Sequence, residues 1–269
     1  NRISYNQLRS NGLPISEKQG VGSSILPLAT MIVTFNKIKK KILEGTFLKY
    51  LLWKTGILKI RDLLNKKYFN KEVNRWFADN GDTKLRLDYQ FERIDLIIDI
   101  GSYTGEDLKK FLANFNCKIL GFEPNPKLFK QLTKSFNSEL VKIYNFGFSD
   151  KRREAYLIDK QDGSFVVNKL PKKTINYEKI EVIKFSDFIY DNDIQEISLL
   201  NMNIEGSEYK VLKDLIETDA IQRIKTLQVQ FHRMTFLYPI KKYLIIKKLK
   251  DTHKLIWKYN YVWERWDIK

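Results

Sequence analysis

The sequence carries a single cysteine, Cys117, set in the apolar run NCKILGF. One thiol forms neither an internal disulfide nor a zinc cluster, and a thiol in a run that reads as a buried strand fits a reducing compartment. No stretch combines the charged, apolar and small-residue zones of a secretory signal, so a cytoplasmic chain is expected; the first residue, Asn1, leaves a processed start open. Long apolar runs are missing as well. The longest near the N-terminus, ILPLATMIVTF from Ile25 to Phe35, contains Pro27 and falls far short of the roughly 20 residues a bilayer-spanning helix needs. Internal repeats and low-complexity tracts are absent. With 43% hydrophobic and 30% charged residues, the 269-residue chain is neither disordered nor an integral membrane protein, and is long enough for one large domain with extensions.

Acidic residues are in short supply: 32 Asp and Glu stand against 48 Lys and Arg, a formal net charge of +16. Such an excess suits a nucleic acid, an anionic membrane face or an acidic glycan, but it is spread along the chain and is equally a diffuse background. Residues 1–23 show no sustained period and read as a flexible arm. Residues 24–79 form an amphipathic helical extension of two or three helices, broken near Gly45 and Gly56, with Leu, Ile, Phe and Trp interleaved with lysines. Its apolar face is expected to pack on its own domain; loose association with an anionic membrane surface, at the inner membrane face, is the alternative. The stretch NGDTKLRLDYQF, from Asn80 to Phe91, alternates apolar and polar residues and reads as an edge strand or hairpin opening a domain of residues 80–269.

From residue 94 to 232, short apolar runs (DLIIDI, KILGF, VKIYNF, ISLLNMNI, IKTLQVQF) alternate with helical segments (EDLKKFLANF, PKLFKQLTKSF, SEYKVLKDLIET). This is the pattern of βαβ units, and it predicts an α/β fold: a Rossmann-like, doubly wound, mostly parallel sheet with helices on both faces. In such sheets, ligands sit outside the carboxyl ends of the strands. The first strand ends in DIGSYTGED, where Asp99, Gly101 and Gly105 stand in the order Asp-x-Gly-x-x-x-Gly; the glycines permit a tight turn and close approach to a ligand. The third glycine of the dinucleotide fingerprint and the Gly-Lys of a P-loop are both missing, so no pyrophosphate grip is indicated. The second strand ends in GFEPNP, placing Glu123 where a carboxylate accepts both hydroxyls of a ribose. A nucleoside without a gripped pyrophosphate follows.

These residues, with YNFGFSD, the GSF of Gly163 to Phe165, NMNIEGSEYKVL and the QVQFH ending at His232, resemble the FkbM-type methyltransferases over residues 80–269. The resemblance implies a class I enzyme that binds S-adenosyl-L-methionine and methylates hydroxyl groups of sugars or polyketides. It further implies that Asp99, Gly101, Ser102, Tyr103, Thr104 and Gly105 line the methionine portion, that Glu123 with Pro124 holds the ribose, and that Phe146, Gly147 and Phe148 flank the adenine. Asn203 and Glu205 would face the reacting methyl group. Where the commonest pattern of the family has Lys and Asp, this chain has Asn201 and Asn203, and where Glu is frequent it has Gln230. Amides are poorer ligands for a hard divalent cation, so no metal is expected.

Removing a proton from the acceptor hydroxyl points to His232, at a strand end, as general base, because imidazole titrates near neutral pH. Glu205 is weighed evenly between site and helix cap; Glu208 and His253 read as structural, and the aromatics of YNYVWERWDIK as packing. The expected partner is a saccharide or glycan acceptor. DNA is not expected, and RNA is disfavoured because no nucleic-acid-binding module and no Asn-Pro-Pro-Tyr type motif is present. RNA methylation and a non-catalytic scaffold that keeps the fold are the competing readings.

Overall fold

A computed structural model describes residues 57–89, 94–158, 164–170, 176–233 and 238–269. The chain divides into two compact units, residues 1–70 and 71–269, and the second holds every element discussed below except the start of its first helix. The expected arm of residues 1–23 and most of the helical extension lie outside the described residues. What is described of the extension is one helix, α1 (Ile57–Ala78). Among the described residues, no helix is long and apolar enough to cross a membrane.

The βαβ reading holds. The parallel strands β1 (Leu96–Ile100), β2 (Lys118–Phe122) and β3 (Val141–Tyr144) alternate with α2 (Glu106–Asn114) and α3 (Pro126–Ser135). Each helix start follows from local chemistry. Gly105 takes φ 82° at the N-cap of α2, and Glu106 and Asp107 fill its first turn, where acidic groups favour the helix dipole. Asn125 caps α3 by accepting from Lys127 N at 2.9 Å, with Pro126 at the first helical position. After β3 the chain crosses back past β1: β8 (Ile197–Met202) pairs with β1, and β9 (Ile224–Val229) pairs with β8, both parallel. The two directions of winding diverge between β1 and β8, and the crevice at the carboxyl ends of those strands is where such sheets bind ligands.

One apolar cluster joins Ile98, Ile100, Leu200 and Met202 to α4 (Phe185–Asp191), α5 (Glu208–Glu217) and α6 (Tyr238–Thr252) on one face of the sheet. A second joins Ile97, Ile119 and Leu199 to Leu108, Phe111 and Leu132 of α2 and α3 on the other. Strands covered on both faces are apolar throughout: β8 is buried at every position.

Two expectations are corrected. The segment after Asn80 is neither strand nor hairpin but a single π-helical turn, Gly81–Leu85, entered through Asn80 in the left-handed conformation. Its close packing explains the choice of residue, since a Cβ at Gly81 would overlap the indole of Trp76, itself fully buried. The YNFGFSD segment is not one strand: β3 ends at Tyr144, and β4 (Gly147–Ser149) enters a second sheet in the order β4-β7-β5-β6, with β5 (Arg153–Ile158), β6 (Phe165–Val167) and β7 (Tyr177–Lys184). The C-terminal aromatics pack as expected, with Tyr259, Trp263 and Trp266 buried. β11 (Trp263–Ile268) lies antiparallel between β9 and β10 (His253–Tyr259), and β10 is the edge. His253 is structural, bonding Ile224 O at 2.9 Å and Thr252 Oγ1 at 2.8 Å.

Overpacking a filled core typically costs about 1–3 kcal/mol. Gly81→Ala is therefore expected to lower unfolding stability by about that much, read from the midpoint of a urea transition followed by tryptophan fluorescence; an unchanged midpoint counts against the indole contact.

Candidate active site

The loop after β1 is bent by three left-handed residues, Gly101 (φ 88°), Tyr103 (φ 48°) and Gly105 (φ 82°). Gly101 N and Ser102 N both donate to Phe122 O, at 3.0 and 3.1 Å, tying the turn to the end of β2. Glycine is required at 101 on two counts: the sign of φ, and the Asn203 carbonyl, into which any Cβ would run. The end of β8 thus rests directly on the turn after β1. Ser102 is buried, its hydroxyl on the Asp99 carbonyl, while Tyr103 and Thr104 are exposed.

Glu123, only 5% exposed, receives two backbone amides: Tyr103 N donates to Oε2 and Asn125 N to Oε1, each at 2.8 Å. Left-handed Tyr103 is what turns its amide toward this carboxylate. Each oxygen keeps a second lone pair, so the group is able to accept two further hydroxyls. Burial pushes its pKa up to about 7 against the pull of the two amides, with the charge of Asp99 adding to the rise. Behind Glu123, Asn145 Nδ2 bonds the carbonyls of Glu123 and Pro124. Phe146 is partly exposed and packs on Phe122 at 5.4 Å; Phe148, expected to flank the same ligand, is instead 3% exposed and set in the core against Phe185 at 4.5 Å. Phe146 lies in the link between β3 and β4, whereas Phe148 lies within β4, which separates the two rings' surroundings. Gly147 between them is buried.

Asp99 is buried at the end of β1, where Asn201 Nδ2 donates to its Oδ1 at 2.6 Å. Burial and the nearby charge of Asp107 push it up to about 6. Its other oxygen, Oδ2, has no partner, and neither has the buried Oδ1 of Asn203. Two bare acceptors beside a glycine turn suit a ligand that brings donors or positive charge, and Glu123 offers lone pairs to a diol. The residues present therefore fit a cationic nucleoside such as S-adenosylmethionine.

At the ends of β8 and β9, His232 lies between two carboxylates. Its Nε2 is 3.2 Å from Glu205 Oε1 and its Nδ1 3.3 Å from Glu208 Oε1, while His232 N also donates to Glu208. Glu208 is fully buried and its other oxygen accepts from Gly206 N at 2.7 Å. Glu205 is half-buried and takes φ 48°. Burial alone would lower the imidazole, but the charge of Glu208 and hydrogen bonds to both carboxylates outweigh it and lift the pKa to about 10. At neutral pH both ring nitrogens then donate. An imidazole so held is largely protonated near neutral pH, whereas the expected general base needs a free lone pair there. Glu208, read from sequence as structural, is the anchor of this array; the E-G-S-E spacing was its one visible signal. Among the described residues there is no group of His, Cys, Asp and Glu able to hold a metal ion.

The family model described as the methyltransferase FkbM domain matches residues 99–262. A comparison with curated proteins finds no match. Among solved structures, the fibrillarin/Nop5p complex aligns with a TM-score of 0.40 at 10% identity, over 67% of this chain and 75% of that one. The N-terminal domain of human METTL16 in complex with SAH aligns with a TM-score of 0.36 at 16% identity, over 68% of this chain and 65% of that one. Human methyltransferase 10 domain containing protein gives 0.35 at 17% identity, over 75% and 82%.

The raised pKa of Glu123 has a measurable sign. A carboxyl group at about 7 in the fold, against 4.5 unfolded, contributes stability below pH 4.5 that is lost as pH rises through 7. Each unit of that shift corresponds to about 1.4 kcal/mol. Glu123→Gln removes the titration, so in urea melts of the ligand-free protein from about pH 5 to 8 the wild type should lose ground to the variant. Parallel pH dependence of the two proteins contradicts the assignment.

Proposed function

Because the chain belongs to the FkbM methyltransferase domain family, matched over residues 99–262, we propose that it is an S-adenosylmethionine-dependent O-methyltransferase whose acceptor is a saccharide hydroxyl. The observation that carries the O-methyl reading is the Glu205–His232–Glu208 array at the ends of β8 and β9, seated against the turn after β1 through Asn203 and Gly101.

When bound, S-adenosylmethionine supplies an electrophilic methyl group on a positively charged sulfur. The chain's own task is to position and to manage one proton. Glu123 holds the ribose hydroxyls, Asp99 and Asn203 turn their unpartnered oxygens to the cationic end, and Phe146 offers a partly exposed ring to the base. A neutral hydroxyl is a weak nucleophile and must shed its proton as the new bond forms. Glu205, half-exposed at the cleft, takes that proton, while His232 holds the carboxylate in place and Glu208 fixes His232 from behind. A fixed carboxylate suits a sugar hydroxyl better than a phosphate-rich chain, which its charge would repel. The glycan reading draws further on the resemblance to a family that methylates hydroxyl groups of sugars or polyketides.

Two variants test the assignment. Glu123→Ala should weaken S-adenosylmethionine by about 1.5–3 kcal/mol in calorimetry, the scale of hydrogen bonds to a charged group; an unchanged dissociation constant in a folded variant removes Glu123 from the cofactor site. Glu205→Gln should leave that affinity alone while slowing methyl transfer to oligosaccharides by about a hundredfold to ten-thousandfold. Mass spectrometry of a saccharide panel and of total RNA, each incubated with labelled cofactor, decides the acceptor class: label in RNA and none in saccharides overturns the glycan reading.

A further inference from the structure

Arg86 enters the domain from the turn after the π-helical segment, outside the residues matched by the family model, and its side chain is only 5% exposed. A cation buried to that degree requires several partners. Its guanidinium grips Asp107 with both ends of the fork, Nη1 to Oδ1 at 3.0 Å and Nη2 to Oδ2 at 2.5 Å. Nη2 also reaches Asn201 Oδ1 at 2.9 Å, Nε reaches Gln228 Oε1 at 3.1 Å, and the Trp263 ring lies 3.8 Å from Cζ. Three elements of the main sheet and one helix are thereby joined by one side chain.

The chemistry of these groups allows one direction only. Guanidinium donates and never accepts, so Asn201 must present its oxygen to Arg86. Its amide nitrogen is then left facing the two carboxylates, Asp99 Oδ1 at 2.6 Å and Asp107 Oδ2 at 3.2 Å. An asparagine at 201 is a converter between a cation on one side and an anion on the other. With Oδ1 of Asp99 so held, the second oxygen is the one without a partner.

We propose that Arg86 is a positioning residue: by fixing the direction of the Asn201 amide, it aims the free oxygen of Asp99 at the cationic end of the bound cofactor. The inference rests on the cofactor reading above. The groups facing the Asp99 carboxyl are Asp107 and Glu123, which disfavour its charged form, and Arg86 and Asn201, which favour it, while the Ser102 hydroxyl bonds the Asp99 carbonyl. Burial and Asp107 raise its pKa; the bond from Asn201 and the Arg86 charge restrain the rise. Severing the link makes ionised Asp99 harder to form.

Arg86→Met leaves Asp107 buried without its cation and is liable to unfold, so Asn201→Leu, which keeps the Arg86–Asp107 pair, is the decisive variant. S-adenosylmethionine binding by the full chain is followed calorimetrically from about pH 5.5 to 8.5. Wild-type affinity should rise with pH. In Asn201→Leu the midpoint of that rise should move up by about one unit, so that affinity at the wild-type midpoint falls about fivefold, approaches a tenfold loss below it and recovers at the alkaline end. Asp99→Asn, which abolishes this titration and leaves that of Glu123, should show no further shift when Asn201→Leu is added. A midpoint in Asn201→Leu equal to the wild type overturns the proposal, since a merely structural link would lower the melting temperature and leave the pH profile in place. Should the wild type bind no S-adenosylmethionine at any pH, the cofactor reading fails, and melting of the ligand-free proteins judges the Asn201 link alone. Steeper loss of stability with rising pH in Asn201→Leu supports that link; parallel curves overturn it.

Discussion

Two peptide amides converge on one buried carboxylate, and the site depends on that convergence. Glu123 takes Tyr103 N from the turn after β1 and Asn125 N from the start of α3, so one side chain sets the spacing of two loops that no strand pairing holds. The arrangement demands a left-handed Tyr103, which in turn demands the glycines on either side of it to reverse the chain in so few residues. Once the turn is closed, the Asn203 carbonyl comes to rest on Gly101, and the ends of β1, β2 and β8 become one surface. Burying an ionisable group there is unfavourable for the empty protein, and a ligand that brings donors and positive charge relieves that cost.

Much of this was legible in the sequence where a local rule sufficed. The apolar runs of β1, β2, β8 and β9 could not be anything but covered strands, and Asn125-Pro126 announces the start of α3 by capping chemistry alone. Glu123 follows from its place after a strand. The illegible parts depend on contacts between distant residues. Alternation in TKLRLDY mimics a strand, yet the packing of Gly81 on Trp76 and of Arg86 on Trp263 decides its conformation. Nothing near Arg86 in the chain shows that Asp107, Asn201 and Gln228 surround it. The same holds for His232, whose place after a strand is visible in the sequence while the two carboxylates that raise its pKa, Glu205 and Glu208, lie on another segment. Position is a property of the backbone pattern; protonation is a property of neighbours.

The site residues divide by origin. Asp99, Gly101 and Glu123 stand at the ends of the first two strands, whereas Asn203, Glu205 and His232 come from the returning half of the sheet. Tyr209 OH bonds the His232 carbonyl at 2.9 Å, tying the β9 end to α5, so the Glu205–His232–Glu208 array is braced by the helix that also carries Glu208. Two halves wound in opposite directions meet at Gly101, and the crevice between them is where sheets of this kind take their ligands.

The placement of β11 has a consequence for biosynthesis. Chains emerge from the ribosome N-terminus first, and β9 and β10 precede β11 in sequence but are joined only through it. Until residues 263–268 are free of the exit tunnel, β9 is a bare sheet margin whose backbone groups are open to strands of neighbouring nascent chains, and β10 has no strand to pair with. A ribosome stalled or a message broken ahead of Trp263 would release a polypeptide with nearly all of the site residues and an unprotected, aggregation-prone flank, a species for the chaperone and protease machinery rather than a slightly shorter enzyme.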